Sequence, residues 1–510
     1  MANGGIIGKV NNPTSTTATG VWQQEEQYEA VRDGTWPERA LFTTKSLRFN
    51  PASSDYLNRT PSSAFNTDKW TISLWFKRGN LGIDTRLISC DNDNGSNDDY
   101  IRFDSSDQME FMIYEGSSVV GLLKPNRVFR DPSAWMHLVC VWDSANGTAG
   151  NRMRMYINGT EETSFATDTN PSSGANASFG NTSHPIEVGR RGSANNQYFD
   201  GYMAEVISVD GQALAPTSFG STNSDGVWIP AIYTGTYGTS GFNLQFENAA
   251  ALGTDSSPNG NTFTVNNLTS IDQTTDYPLV NYITMNPLIG YTSNTDNQVY
   301  SEGNTIIIPN STDNYGTGFS TIGLKGGKWY WEAQIVWNGT SNNANFPRTI
   351  GFVTEDYGFN YSYLGQDSES WGVYFNDEST DIWAKSHSNS AVNITGATTM
   401  ANGGTISLAL DLDNGKFYVG YNGTFFTSGD PTSGATGTGA IYTLTETDLS
   451  KYIFPTVTNA TNSTYYKFNF GNPAYAISSS NTDGNGYGNF EYAVPSGYYA
   501  LNTANLAEFG

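Results

Sequence analysis

The chain has 510 residues, too many for one ordinary core, so two or three domains are expected. Aromatic residues make up 14%, which argues against disorder, and the net charge of −24 argues against nonspecific binding to nucleic acid or anionic membrane. No run of about 18 apolar residues exists, so no membrane insertion is expected.

Residues 1–40 read as a separate N-terminal segment. The start MANGGIIGKVNNPTS lacks the basic opening and apolar core of a signal peptide, so cytoplasmic synthesis without classical secretion is expected. GVWQQEEQYEAVRDGTWP predicts one short helix, stopped by Gly34 and Pro37. A single short helix cannot bury Trp22, Tyr28 and Trp36, so it should dock on its own chain or on a partner.

Residues 41–220 carry an all-β pattern. WTISLWFKR (70–78) alternates, with Trp70, Ile72, Leu74 and Phe76 on one face. WMHLVCVWD (135–143) reads as a central strand buried on both faces. RMRMYINGTEETSF (152–165) reads as a hairpin turning at Asn158-Gly159, with Met153, Met155 and Ile157 inward. YMAEVISVDGQAL (202–214) closes the block. Cys90 and Cys140 sit in apolar runs and read as buried thiols, with a disulfide between neighbouring strands as the alternative.

Residues 221–300 are rich in Gly, Thr and Asn and read as an ordered connector with one strand at 242–248. A second all-β block spans 301–476. KWYWEAQIVW (328–337), RTIGFV (348–353) and SWGVYF (370–375) alternate in turn. ISLALDLDNGKFYVGYNGTFF (406–426) is the clearest segment of the chain. Ile406, Leu408 and Leu410 alternate, Asn414-Gly415 turns, and Phe417, Val419 and Tyr421 alternate back. Residues 477–510 read as a tail. The fold class expected is all-β, with two antiparallel jelly-roll-like β-sandwiches behind a short helical anchor.

Few constellations carry chemistry. DNDNGSNDDY crowds Asp91, Asp93, Asn97, Asp98 and Asp99 into one turn. Those hard oxygens suit either Ca²⁺ or a solvated hairpin turn, and Gly95 and the lack of a twelfth-position Glu exclude an EF-hand. His137, His184 and His387 are dispersed, and His137 reads as a satisfied core residue. No nucleophile elbow, phosphate-binding loop or zinc motif is present. Exposed aromatics at loops could stack on sugar rings. Tyr198 in the first block and Trp371, Tyr374 and Trp383 in the second are the candidates; Trp371 and Tyr374 lie on opposite faces of one strand.

In the first block SLRFNPASSDYL, WTISLWFKR, WMHLVCVWD, RMYINGTEETSF and FDGYMAEVISVDGQAL follow one another in an order that resembles laminin-G-like, concanavalin-A-type sandwiches. In the second, GKWYWEAQI, IGFV, WGVYF, GTISLALDLDNGKFYVGYNGTFFTSGDP and FNFGNPAY resemble SPRY domains. QYEAVRDGTWP, GQALAPTSFG with GVWIPAIYTGTYGTSGFNLQF, and VPSGYYALNTANL resemble segments of bacteriophage tail-fibre-like structural proteins. The resemblance implies a virion component, made in the host cytoplasm, that joins other virion proteins through residues 1–40 and contacts host-surface glycan or protein as a homo-oligomer, a trimer being favoured. A capsid-decoration or collar protein is one alternative; a polysaccharide-degrading enzyme is another. Glucanases of this fold carry their carboxylates on one strand as Glu-X-Asp-X-X-Glu, and a retaining mechanism needs the pair about 5 Å apart. That pattern is missing, and Glu110 and Glu115 face opposite ways, so no enzymatic activity is expected.

Overall fold

The computed structural model describes residues 43–92, 95–192, 194–290, 298–308, 316–337, 348–358, 363–376, 382–388, 390–394, 401–459 and 464–510. The expected helix with Trp22, Tyr28 and Trp36 lies outside them.

Two β-sandwiches follow each other along the chain. The described residues of the first form two eight-stranded sheets. At the centre of one, Lys69–Arg78 runs between Met136–Asp143 and Gly201–Asp210. In the other, Thr85–Asp91, Asp98–Phe103, Met109–Glu115 and Ser118–Pro125 form an antiparallel meander. Alternation supplies the core: Trp70, Ile72, Leu74 and Phe76 face Phe103 and Phe111 of the opposite sheet, with Phe76 and Phe103 ring centroids 5.3 Å apart. Cys90 and Cys140 are buried and free.

Strand Met136–Asp143 is buried on both faces for two separate reasons. Leu138, Cys140 and Trp142 enter the sandwich core. His137, Val139 and Val141 face outward but are roofed by Phe219, Tyr233, Tyr237 and Trp228. His137 lies between Trp75 and Trp228, bonds Ser73 Oγ at 2.8 Å and accepts the Trp228 indole N–H at 3.0 Å. Burial pushes its pKa down to about 3, so it stays neutral.

The stretch expected as a connector divides between the sandwiches: residues 242–274 complete the first, while Ile283 and Met285 enter the core of the second. Phe242–Leu244 pairs with Gly201–Asp210, Thr264–Asn266 with Tyr56–Arg59, and Gln273–Thr274 with Ser46–Phe49. Phe242, Leu244, Phe246 and Phe263 are buried in the core. Gly and Thr abundance hid a set of short edge strands whose apolar residues point inward.

The second sandwich has a seven-stranded and a nine-stranded sheet among the described residues. Lys328–Trp337 is central in the larger one, flanked by Thr405–Asp411 and Thr464–Asn469. Thr405–Asp411 and Lys416–Tyr421 form the expected hairpin, Leu408 opposite Val419. Gly415 and Asn422 take φ of 63° and 46°, the left-handed values that tight turns need. The residues read as a tail are structural too. Tyr499–Ala500 pairs in parallel with Lys328–Trp337, and Phe490, Tyr498 and Leu501 are buried.

Buried polar contacts lock the sandwiches together. Lys77 Nζ reaches Asp276 at 2.8 Å, Asn281 Oδ1 at 2.7 Å and the Tyr282 carbonyl at 2.8 Å. Trp135 Nε1 donates to the other Asp276 oxygen at 2.8 Å. Arg48 pairs with Glu302 at 3.0 Å and donates to the Pro473 carbonyl. Glu302, Gly303 and Asn304 all have positive φ, a tight turn that seats the Glu302 carboxylate against Arg48 and Asn50 and the Gly303 carbonyl against the Tyr202 hydroxyl.

Candidate functional site

The sequence candidates separate sharply. Trp371 is corrected: it is 2% exposed, stacked on Phe352 at 5.1 Å and on His387 at 4.6 Å, and so serves as core. Tyr374, on the other face of the same strand, is half-buried, and burial raises its phenol. Trp383 lies in strand Ile382–His387, its backbone in register with Phe375; its side chain is outside the described residues.

The acidic turn is drawn apart by arginines. Arg86 chelates both Asp98 oxygens, and Arg191 lies 3.3 Å from Asp98 and 3.5 Å from Asp91. Asp99 accepts backbone N–H groups from Tyr114 at 3.0 Å and Phe179 at 2.7 Å. Burial raises its pKa well above the usual carboxylate range. Asn97 donates to Ser178 Oγ. Asp93 lies outside the described residues. Among the described residues no three His, Cys, Asp or Glu side chains converge as metal donors. Glu110 is likewise held by Arg102 at 2.7 Å and Lys124 at 3.0 Å.

Tyr198 is the candidate that acquires a setting. It is half-buried in the loop between strands Ile186–Val188 and Gly201–Asp210. Asn195 and Gln197 take φ of 48° and 52°, which folds the loop back on itself. Its ring faces that of Tyr56 with centroids 6.4 Å apart and planes 53° to each other. The Arg190 guanidinium stacks 3.3 Å from the Tyr56 centroid. Arg190 is fixed by both Glu187 oxygens, at 3.0 and 3.2 Å, and by Asn195 Oδ1 at 2.6 Å. Burial opposes its charge, but hydrogen bonds to Glu187 and Tyr198 outweigh it and raise its pKa. The outcome is a rigid platform of two partly exposed phenol rings over a permanent cation. Such a surface offers apolar ring faces and hydroxyl donors together.

The acidic turn and the Tyr198 loop, read separately in sequence, meet at one end of the first sandwich. Arg86 bonds Gln197 Oε1 at 2.8 Å as well as Asp98, and Ser89 Oγ donates to the Arg190 carbonyl. Tyr56 and Arg190 were missed by the sequence reading. The tandem Arg190-Arg191 ahead of the Gly/Asn-rich loop was the available signal.

Residues 51–217 match the model of the Concanavalin A-like lectin/glucanases superfamily. No curated protein matches the chain. Solved structures similar to it include the SPRY domain of human HERC1, at 16% identity over 36% of this chain and 96% of that one, with a TM-score of 0.26. A native heptameric SAP-like pentraxin from Limulus polyphemus aligns at 13% identity over 34% of this chain and 77% of that one, TM-score 0.25. A candidate carbohydrate-binding protein from Bacteroides ovatus aligns at 15% identity over 44% of this chain and 59% of that one, TM-score 0.30.

Proposed function

We propose that this chain is an adhesion protein whose first sandwich holds glycans on the Tyr56–Tyr198–Arg190 platform. The observation that carries the reading is the pair of half-exposed phenol rings, pre-ordered by a buried arginine, on a domain that matches a lectin-like superfamily. The aromatic faces would stack on sugar C–H surfaces, and Tyr198 and Asn195 would hydrogen-bond hydroxyls.

A glycan array probed with the full-length protein tests this. Tyr56→Ala should weaken capture about fivefold and Tyr198→Ala about tenfold or more, since each removes a ring contact worth roughly 1 kcal/mol and Tyr198 also loses a hydroxyl. A blank array for the parent protein would sink the reading.

The finer proposal is a virion setting, supported by the resemblance of three segments to phage tail-fibre-like proteins. There the chain would attach through residues 1–40 and act in several copies, a trimer in the first instance, so that weak contacts multiply. Removing residues 1–40 should abolish incorporation into particles; normal incorporation of the truncated chain, scored by immunoblot of purified particles, would overturn it. The buried ion pairs between the sandwiches favour one second reading, a rigid structural spacer such as a decoration or collar protein.

A further inference from the structure

We propose that Lys77 and Asn281 form a modification site, at which their side chains join slowly in an intramolecular isopeptide bond. Among the described residues Lys77 is the one buried lysine, 1% exposed. Its Nζ bonds Asn281 Oδ1 at 2.7 Å and Asp276 Oδ2 at 2.8 Å. A carbonyl bond is about 1.2 Å long, so Nζ lies no more than about 3.9 Å from Asn281 Cγ. Reacting atoms about 3–3.5 Å apart are in near-attack geometry, so a small shift of Nζ separates this arrangement from a reactive one.

The bond needs an amine that can shed its charge, an amide carbon and a carboxyl group that takes up the proton. All three meet here. Burial lowers the Lys77 pKa, with Asp276 acting against it. Asp276 is fully buried, and its other oxygen accepts the Trp135 indole N–H at 2.8 Å, which fixes the carboxyl beside Nζ. The Tyr202 ring centroid lies 5.3 Å from Nζ. Asn281 is clamped: its N–H donates to Thr503 Oγ1 at 3.1 Å, its carbonyl accepts the Thr503 N–H at 2.9 Å and its Nδ2 donates to the Ser133 carbonyl at 2.6 Å. It is only half-buried, which leaves a small leaving group a way out.

The chemistry balances without any co-reactant. Asp276 takes one proton from the Lys77 ammonium, leaving a neutral amine. The Nζ lone pair attacks Asn281 Cγ, and the carbonyl electron pair moves onto Oδ1. As that pair returns, the Cγ–Nδ2 bond breaks, Nδ2 gains a proton from the attacking nitrogen and leaves as ammonia, and Asp276 ends as the neutral acid. Because Nζ first meets Asn281 at its oxygen, it must move to the face of the carbon before attack. The newly folded chain therefore holds the ion pair, and the amide accumulates with age. The bond would close a loop between residues 204 positions apart and tie the first sandwich to the chain entering the second. It uses no residue of the Tyr56–Tyr198 platform and stands whether or not that platform binds glycan.

Mass spectrometry on full-length protein, freshly purified and after prolonged incubation at neutral pH, tests this. The intact mass should fall by one ammonia in a growing fraction of the chains, and a protease digest should yield the Lys77 peptide joined to the Asn281 peptide. The aged protein should also melt at a higher temperature than the fresh one. Asn281→Ala keeps the Lys77–Asp276 pair and should yield no joined peptide at any age. The joined peptide in the parent decides the question even if that variant fails to fold. Its absence after incubation overturns the proposal. So does an ammonia loss that maps only to an Asn-Gly turn such as Asn158-Gly159, where ring closure on the backbone also expels ammonia.

Discussion

Replacing Asp276 by alanine should destabilise the full-length protein by about 3–5 kcal/mol, the range for breaking a buried ion pair from one side. The reason is what would be left behind. Lys77 Nζ is 1% exposed and makes its three bonds to Asp276, Asn281 and Tyr282. Burial already depresses the Lys77 pKa, and Asp276 is the first group acting against that. The substitution would strand an ammonium in the junction and also free the Trp135 indole N–H and the Asn472 amide. Urea unfolding monitored by tryptophan fluorescence measures the loss. A paired Lys77→Met/Asp276→Leu variant should recover much of it, because both desolvated charges vanish together. A single variant within about 1 kcal/mol of the parent would show that the junction does not depend on the pair.

Much of the scaffold was legible because alternation survives tertiary context. Leu408 and Val419 face each other where the period-two pattern and Asn-Gly turns put them. Alternation also placed Trp371 and Tyr374 on opposite faces, but which face was inner depended on Phe352 and His387, supplied by neighbouring strands. The surroundings of the acidic turn were hidden for a related reason. Counting oxygens from Asp91 to Asp99 takes no account of Arg86, 12 residues before Asp98, or Arg191, 100 residues after Asp91. Lys77 and Asp276 are 199 residues apart, so no local pattern could pair them. The connector failed differently: its Gly and Thr content describes turns truthfully, yet Phe242, Leu244 and Phe263 between those turns complete the first core.

Stability should also rise as the medium is acidified from pH 8 to about pH 5. Asp55, Asp200 and Glu205 are buried, and burial is the largest cause raising each of them to about 7, from 3.8 for the aspartates and 4.5 for the glutamate. Neighbouring Asp272 and Glu302 add to the effect at Asp55, Glu302 at Asp200, and Glu247 at Glu205, while Arg48 and Arg78 act against it at Asp55 and Asp200. The folded chain therefore keeps these protons through a range in which the unfolded chain has released them. Below about pH 4 both states are protonated and the contribution is complete; it is lost progressively as pH rises towards 7, where the folded groups ionise too. For Asp200, a rise from 3.8 to about 7 corresponds to roughly 4 kcal/mol. Asp104, Asp107 and Glu110 have lowered values, so the stability they confer fades only at pH below their ordinary range. The opposed groups place the maximum near pH 5. Thermal melts across pH 4–8 should show it, and Asp200→Asn should flatten the neutral limb, because Asn80 Nδ2 already donates to Asp200 Oδ2 at 2.7 Å while Oδ1 has no partner among the described residues. Asp55→Asn meets the same conditions, with Oδ2 accepting the Asn50 N–H at 3.0 Å and Oδ1 without a partner among the described residues. A melting temperature that climbs from pH 5 to pH 8 would contradict buried, neutral carboxyls at these sites.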